Sequence, residues 1–175
     1  GEEGYNALLN TVKTSENQLA RIHGIWGIGQ LSRQNEKQYA PALMEFLNDK
    51  DVEVIAQSVK MIGDVKFTPA VKAIISQNLA NHESPRVRLL ATESLGRLGA
   101  GDQQIIQMLI DNDDKDNWLR HAGMIALARV SESQTLAALK NHDSRALRMA
   151  AVVALRRMQS PEIAAFLQDS DELIV

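Results

Sequence analysis

Residues 83–101 read ESPRVRLLATESLGRLGAG. Ser84-Pro85 is a helix start, with a side-chain oxygen able to cap and a proline where its missing N–H costs nothing. Val87, Leu90, Ala91, Ser94, Leu95 and Leu98 then fall on one face at helical spacing. Gly96 sits beside that face, where a neighbouring helix is expected to pass closely. Gly99 and Gly101 end the helix. The next segment, Gln103 to Ile110, carries Ile105, Ile106, Leu109 and Ile110 as the stripe of a partner helix.

The same pattern recurs along the chain. Arg21, Ile55, Arg88, Arg120, Arg148 and Val175 occupy one slot, and six residues earlier stand Ser15, Asp49, His82, Asp114, His142 and Asp169. The slots for Val87, Ala91, Leu95 and Gly96 are filled by Ala20, Gly24, Ile28 and Gly29 in the first repeat. They are filled by Val54, Ser58, Ile62 and Gly63 in the second, Leu119, Gly123, Leu127 and Ala128 in the fourth, and Leu147, Ala151, Leu155 and Arg156 in the fifth. A helical period of about 30 residues predicts an α-solenoid. The expected fold is all-α, a right-handed superhelix of five helix pairs plus a truncated sixth, forming one domain over residues 1–175. Inner helices are expected at 18–31, 52–63, 85–98, 117–130 and 145–158. Their partners are expected at Tyr5–Val12, Lys37–Leu47, Pro69–Asn78, Gln103–Ile110, Ser133–Leu139 and Pro161–Leu167. Because the sixth repeat is unfinished, the chain reads as a fragment of a longer protein.

Composition narrows the function. Hydrophobic residues make up 45% of the chain and aromatic residues only 4%, which suits thin layers of aliphatic helices. The net charge is −3, so nothing global attracts nucleic acid or an anionic membrane. No apolar run approaches the roughly 18 residues that span a bilayer. No signal-peptide pattern opens the chain, and Gly1 reads as an expression remnant, which leaves a removed leader open. Cysteine is absent, which removes disulfides, thiolate metal sites and cysteine nucleophiles from these residues. Its absence suits a cytoplasmic protein and a periplasmic one equally.

The aspartate, aliphatic, arginine, small and Leu-Gly spacing resembles the HEAT repeat, with Asp114, Leu119, Arg120, Gly123 and Leu127 as the cleanest copy. The resemblance implies an aspartate–arginine ladder between adjacent repeats, here Asp49 and Asp114 with Arg21, Arg88, Arg120 and Arg148. Ile55 and Val175 interrupt its arginines, and Ser15, His82 and His142 its acids. Three stretches carry a narrower likeness: RIHGIWGIGQL (21–31), DNDDKDNWLRHAGMIALARV (111–130) and LRMAAVVALRRMQSPEIAAFLQDSDELIV (147–175). They are similar to the HEAT region of large secreted bacterial proteins. There the repeats lie between a quinoprotein sugar-dehydrogenase-like propeller and a c-type cytochrome carrying CxxCH. The likeness implies a secreted or periplasmic spacer or docking platform.

Chemistry-bearing residues are few. Asp111, Asp113, Asp114 and Asp116 could hold a calcium ion, but the EF-hand template fails at Asp116 and Ala122. The preferred reading is that they cap the following helix. His23, His82, His121 and His142 are spread through different repeats and do not read as a metal set. Trp26 and Trp118 read as core or staple residues, or as partner-binding residues if exposed. Trp26, Trp118, Arg120 and His121 form the candidate interaction surface. Arg86, Arg97, Arg129, Arg145, Arg156 and Arg157 read as a solvated, ion-paired surface. No motif for hydrolase, nucleotide or dinucleotide chemistry occurs, and no catalytic residue, cofactor or metal is assigned. The expected function is a non-catalytic scaffold for a protein or a neighbouring domain, with no nucleic acid and no membrane insertion. The alternatives are a HEAT-like enzyme acting on a tetrapyrrole or a damaged DNA base, for which Trp118 with Asp116 is the one local pairing, and a nucleic-acid adaptor.

Overall fold

The computed structural model describes residues 1–175 and contains helices and turns only. The inner layer is α2 (Gln18–Gln34), α5 (Val52–Val65), α7 (Pro85–Leu98), α9 (Asn117–Val130) and α11 (Arg145–Met158). Each packs on the next, so the chain is an α-solenoid. The outer layer holds α1 (Glu2–Thr14), α3 (Glu36–Tyr39), α4 (Pro41–Met44), α6 (Val71–Ser76), α8 (Asp102–Asn112) and α10 (Ser133–Ala137), with 3₁₀ turns at Thr68–Ala70, Leu79–Asn81, Ala138–Asn141 and Pro161–Phe166.

The three later inner helices have the expected bounds, while α2 and α5 run past theirs. No glycine or proline follows Leu31, so α2 continues until Asn35, which also caps α3 by accepting from Gln38 N–H. The outer layer departs further. A single helix over Lys37–Leu47 is split, because Pro41 cannot donate a backbone hydrogen bond and starts a new turn, α4. Pro69–Asn78 becomes a 3₁₀ turn and then α6, ended by Asn78 in the left-handed region at φ 52°. Ser133–Leu139 is likewise divided, and in place of a helix over Pro161–Leu167 there is a 3₁₀ turn, Pro161–Phe166. Only α1 and α8 are full outer helices.

One turn design sets the register of all the inner helices. The caps Asn17, Asp51, Ser84, Asp116 and Ser144 each accept a backbone N–H from the first turn. Eleven residues beyond each cap stands Ile28, Ile62, Leu95, Leu127 or Leu155, all with no exposed surface. These five form the spine of one continuous core. Beside the spine the helices nearly touch. A Cβ on Gly96 would lie 2.9 Å from Ala126 Cβ and 3.0 Å from Ala126 Cα, and one on Gly63 would lie 2.7 Å from Ser94 Cα. Ser94 uses that proximity to donate to Val59 O at 2.7 Å.

Candidate binding face on the inner helices

The loops before α2, α5, α7 and α11, and the loop before the final turns, each hold one residue that accepts from the N–H two positions on. Ser15 Oγ accepts from Asn17, Asp49 Oδ1 from Asp51, His82 Nδ1 from Ser84, His142 Nδ1 from Ser144 and Asp169 Oδ1 from Asp171. The slot therefore needs an acceptor atom, which serine and histidine supply as well as aspartate. The fourth repeat differs. Asp113 and Asp114 are both left-handed, and Asn112 takes over the turn by accepting from Asp116 N–H and donating to Asp116 O.

This shift corrects the expected ladder. Arg21 does grip Asp49 with two bonds, Nη1–Oδ1 at 3.1 Å and Nη2–Oδ2 at 2.5 Å. Arg148 grips Asp169 in the same way, Nε–Oδ2 at 2.7 Å and Nη2–Oδ1 at 3.2 Å. Asp114 is displaced from its slot, so it meets Arg145 at 3.5 Å instead of Arg88. Arg88 turns back to donate to the carbonyls of His82 and Glu83. Arg120 faces the repeat whose slot holds His142, which offers no carboxylate, and it forms no ion pair. The ladder is thus two rungs, one near each end.

The acidic loop also resolves into individual roles. Asp116 accepts from Trp118 and Leu119 N–H, Asp111 accepts from Gln107, and Asp113 lies 3.7 Å from Lys115. Nowhere do three or more His, Asp or Glu side chains converge as metal ligands. His23 lies against Trp26, with ring centroids 5.3 Å apart, while His121 is exposed on α9.

The inner helices present an outward face built from the positions two, nine and thirteen residues after each cap, which share one side of a helix. Leu19, Trp26, Trp118 and Val153 stand at the first two of these positions, and Leu173 lies in the final turns. Leu19 is 64% exposed, Trp26 42%, Trp118 76% and Leu173 71%. Trp26 is partly secured, its Nε1–H donating to Gln57 Oε1 at 2.9 Å. Trp118 has no polar partner for its ring. The middle of the face is ionic and largely self-satisfied. Arg86 meets Glu53 at 3.3 Å, Lys60 meets Asp64 at 2.5 Å, and Arg97 lies between Glu93 at 3.1 Å and Asp64 at 3.4 Å. The longer contact is ionic rather than a formed hydrogen bond, and Arg97 Nη1 stays without one. A cleft of about 180 Å³ opens between α7 and α9, lined by Glu93 and Arg97 on one side and by His121, Ile125 and Arg129 on the other.

Of the residues expected to form an interaction surface, Trp26, Trp118 and His121 are exposed and Arg120 is half-buried. The expectation of an ion-paired arginine surface holds for Arg86, Arg97 and Arg145 but fails for Arg129, Arg156 and Arg157, which are exposed without an ion-pair partner because α9 and α11 carry no acid beside them.

This chain is similar to the bilin biosynthesis protein PecF of Mastigocladus laminosus, 28% identical over an alignment of 93 residues. The aligned region covers 49% of this chain and 44% of the relative, so the chain spans under half of the length of the protein it matches. A family model described as HEAT repeats matches residues 40–128, from the start of α4 almost to the end of α9. Together with the stacked helix array, this match places the chain in the HEAT-repeat family.

Proposed function

We propose that the chain is a non-catalytic binding scaffold whose inner-helix face holds a partner protein or a neighbouring domain. The observation that carries this reading is the concentration of exposed large apolar side chains on that face. Of the eight exposed large apolar side chains, Leu19, Trp26, Trp118 and Val153 recur at two positions of the inner-helix register, Val52 starts α5, and Leu167, Leu173 and Val175 lie in the final turns. The test is amide exchange of the chain alone and with a candidate partner or adjoining domain. Protection along α2, α5, α7, α9 and α11 supports the reading, and protection confined to the outer layer overturns it.

The context we propose follows the narrower likeness: a spacer or docking platform between a sugar-dehydrogenase-like propeller and a c-type cytochrome, in a secreted or periplasmic protein. Reading the coding frame on both sides tests this. A propeller upstream and CxxCH downstream support it. A frame with neither removes the redox context and leaves the scaffold reading to its own test.

A second reading rests on the relationship to PecF, whose name assigns it to bilin biosynthesis. On that reading the exposed Trp118 would stack on a linear tetrapyrrole, with Asp116 nearby as the acid. Mixing the chain with a free bilin distinguishes the two. A shifted chromophore spectrum or a new product supports tetrapyrrole handling, and an unchanged spectrum removes it.

A further inference from the structure

The fold sorts charge in a way that the chain's net charge conceals. After Glu83 the inner helices hold a single acid, Glu93, and the other acids lie in loops or outer segments. Helices α9 and α11 contain Arg120, Arg129, Arg145, Arg148, Arg156 and Arg157 and no acidic residue. Arg145 and Arg148 are taken by Asp171 and Asp169 at the loop edge. Arg129, Arg156 and Arg157 are exposed and have no ion-pair partner. Arg129 borders the α7–α9 cleft, and Arg157 occupies the equivalent position one helix on, roughly 10 Å away at normal helix spacing.

The same two helices carry the apolar side chains of this half. On α9, Trp118, His121, Ile125 and Arg129 follow one another along a single face, over about 16 Å at the α-helical rise. Val153 continues the apolar strip on α11. The result is an aromatic anchor near the loops, an aliphatic middle, and unpaired guanidiniums at the opposite edge. We infer that the α9–α11 face docks an acidic amphipathic segment of a partner protein, whose apolar side chains rest on Trp118, Ile125 and Val153 and whose carboxylates pair with Arg129 and Arg157. This deepens the scaffold reading above and rests on it.

Charge complementarity selects this occupant. Free guanidiniums that fork toward planar acids match carboxylates. A nucleic acid fits less well, because its continuous phosphate chain would also run past the acidic loops holding Asp113, Asp143 and Glu172.

The probe is a fluorescein-labelled 18-residue helical peptide with leucine on one face and glutamate on the other, compared with its lysine-for-glutamate counterpart. Anisotropy is read at low salt against the intact chain. The glutamate peptide is expected to bind at least tenfold more tightly than the lysine peptide. Arg129→Glu with Arg157→Glu is expected to weaken it at least tenfold, as is Trp118→Ala. Arg33→Glu, a charge reversal at the far end on α2, is expected to change it less than twofold. All the substituted residues are exposed, and an unchanged melting temperature confirms each fold. Equal affinity for the two peptides, no binding of the glutamate peptide, or full binding by the arginine variant overturns the inference. Tighter binding of a single-stranded oligonucleotide through Arg129 and Arg157 also overturns it, in favour of a phosphate track. If Trp26→Ala weakens the peptide while the arginine variant does not, the partner lies on α2 and α5. The scaffold reading then stands and this inference falls.

Discussion

Arg21 and Asp49 form the best-enclosed ion pair of the first two repeats, with side chains 9% and 14% exposed. Arg21 also donates from Nε to Val12 O at 2.7 Å, so one guanidinium joins α1, the start of α2 and the loop before α5. Burial opposes ionisation of Asp49, but the Arg21 hydrogen bond, the Asp51 N–H and the Arg21 charge outweigh it and hold the carboxyl below its ordinary range.

Asp49→Asn should therefore cost roughly 2 kcal/mol at neutral pH, less than a fully buried pair because water reaches one side. A carboxyl depressed in the folded state contributes stability that is complete above its unfolded value, near 3.9, and is lost as pH falls through the folded value. Urea unfolding should show a constant gap between parent and variant from about pH 5 to 8, closing below about pH 4. A gap that widens in acid would contradict this account.

Asp169, Asp171 and Glu162 are shifted in the same direction, by hydrogen bonds from Arg148, Arg145 and Ser160. Asp169 is almost fully enclosed, its side chain 2% exposed beneath an Arg148 side chain that is 13% exposed. The same sign applies: the stabilisation is present above the ordinary carboxylate range and fades as pH falls below it. Amide exchange at about pH 3.5 should therefore accelerate in α11 and the final turns before it does in α7, which has no such pair at its loop. Uniform acceleration along the array would refute it.

Glycines separate two effects cleanly. Gly4 lies in exposed α1, and a Cβ added there would meet nothing within 4 Å, so Gly4→Ala should stabilise by up to about 1 kcal/mol through helix propensity. Gly96→Ala gains the same propensity but drives a methyl into the backbone of α9 at Ala126, and should be net destabilising by about 1–2 kcal/mol. Thermal unfolding of the two variants should move in opposite directions.

The inner helices were readable because cap, spine and small-residue slots repeat in all of them, each dictated by contact with the next helix. The outer layer was not, since prolines and short apolar runs are compatible with either one helix or two turns, and packing chooses. The ladder misled at Asp114 because a backbone excursion through Asp113 and Asp114, both left-handed, moved the turn's acceptor to Asn112 without altering the spacing. The candidate face was half legible. Trp118 and His121 stood out by residue type, whereas Arg129 and Arg157 became distinct only once the acids proved to be segregated in the loops.

The spine gives the firmest stability prediction. Leu95 and Leu127 are completely buried at equivalent positions of α7 and α9. Leu95→Ala or Leu127→Ala should each cost about 2–5 kcal/mol, depending on how far neighbours close the void. In a solenoid each repeat leans on its neighbours, so a central lesion should also loosen the adjoining helices. A melting temperature equal to the parent's would show that these leucines do not carry the core.

Asp116 caps the first turn of α9. Its carboxylate accepts Trp118 N–H at 2.8 Å and Leu119 N–H at 3.2 Å, two of the donors a helix start leaves unpaired. Asp116→Ala should cost about 1 kcal/mol, and Asp116→Asn, which keeps an acceptor oxygen, clearly less. Because the cap also orients the first turn bearing Trp118, the alanine variant should bind the acidic peptide more weakly than the asparagine variant. Equal binding by both would mean that the position of Trp118 does not depend on its cap.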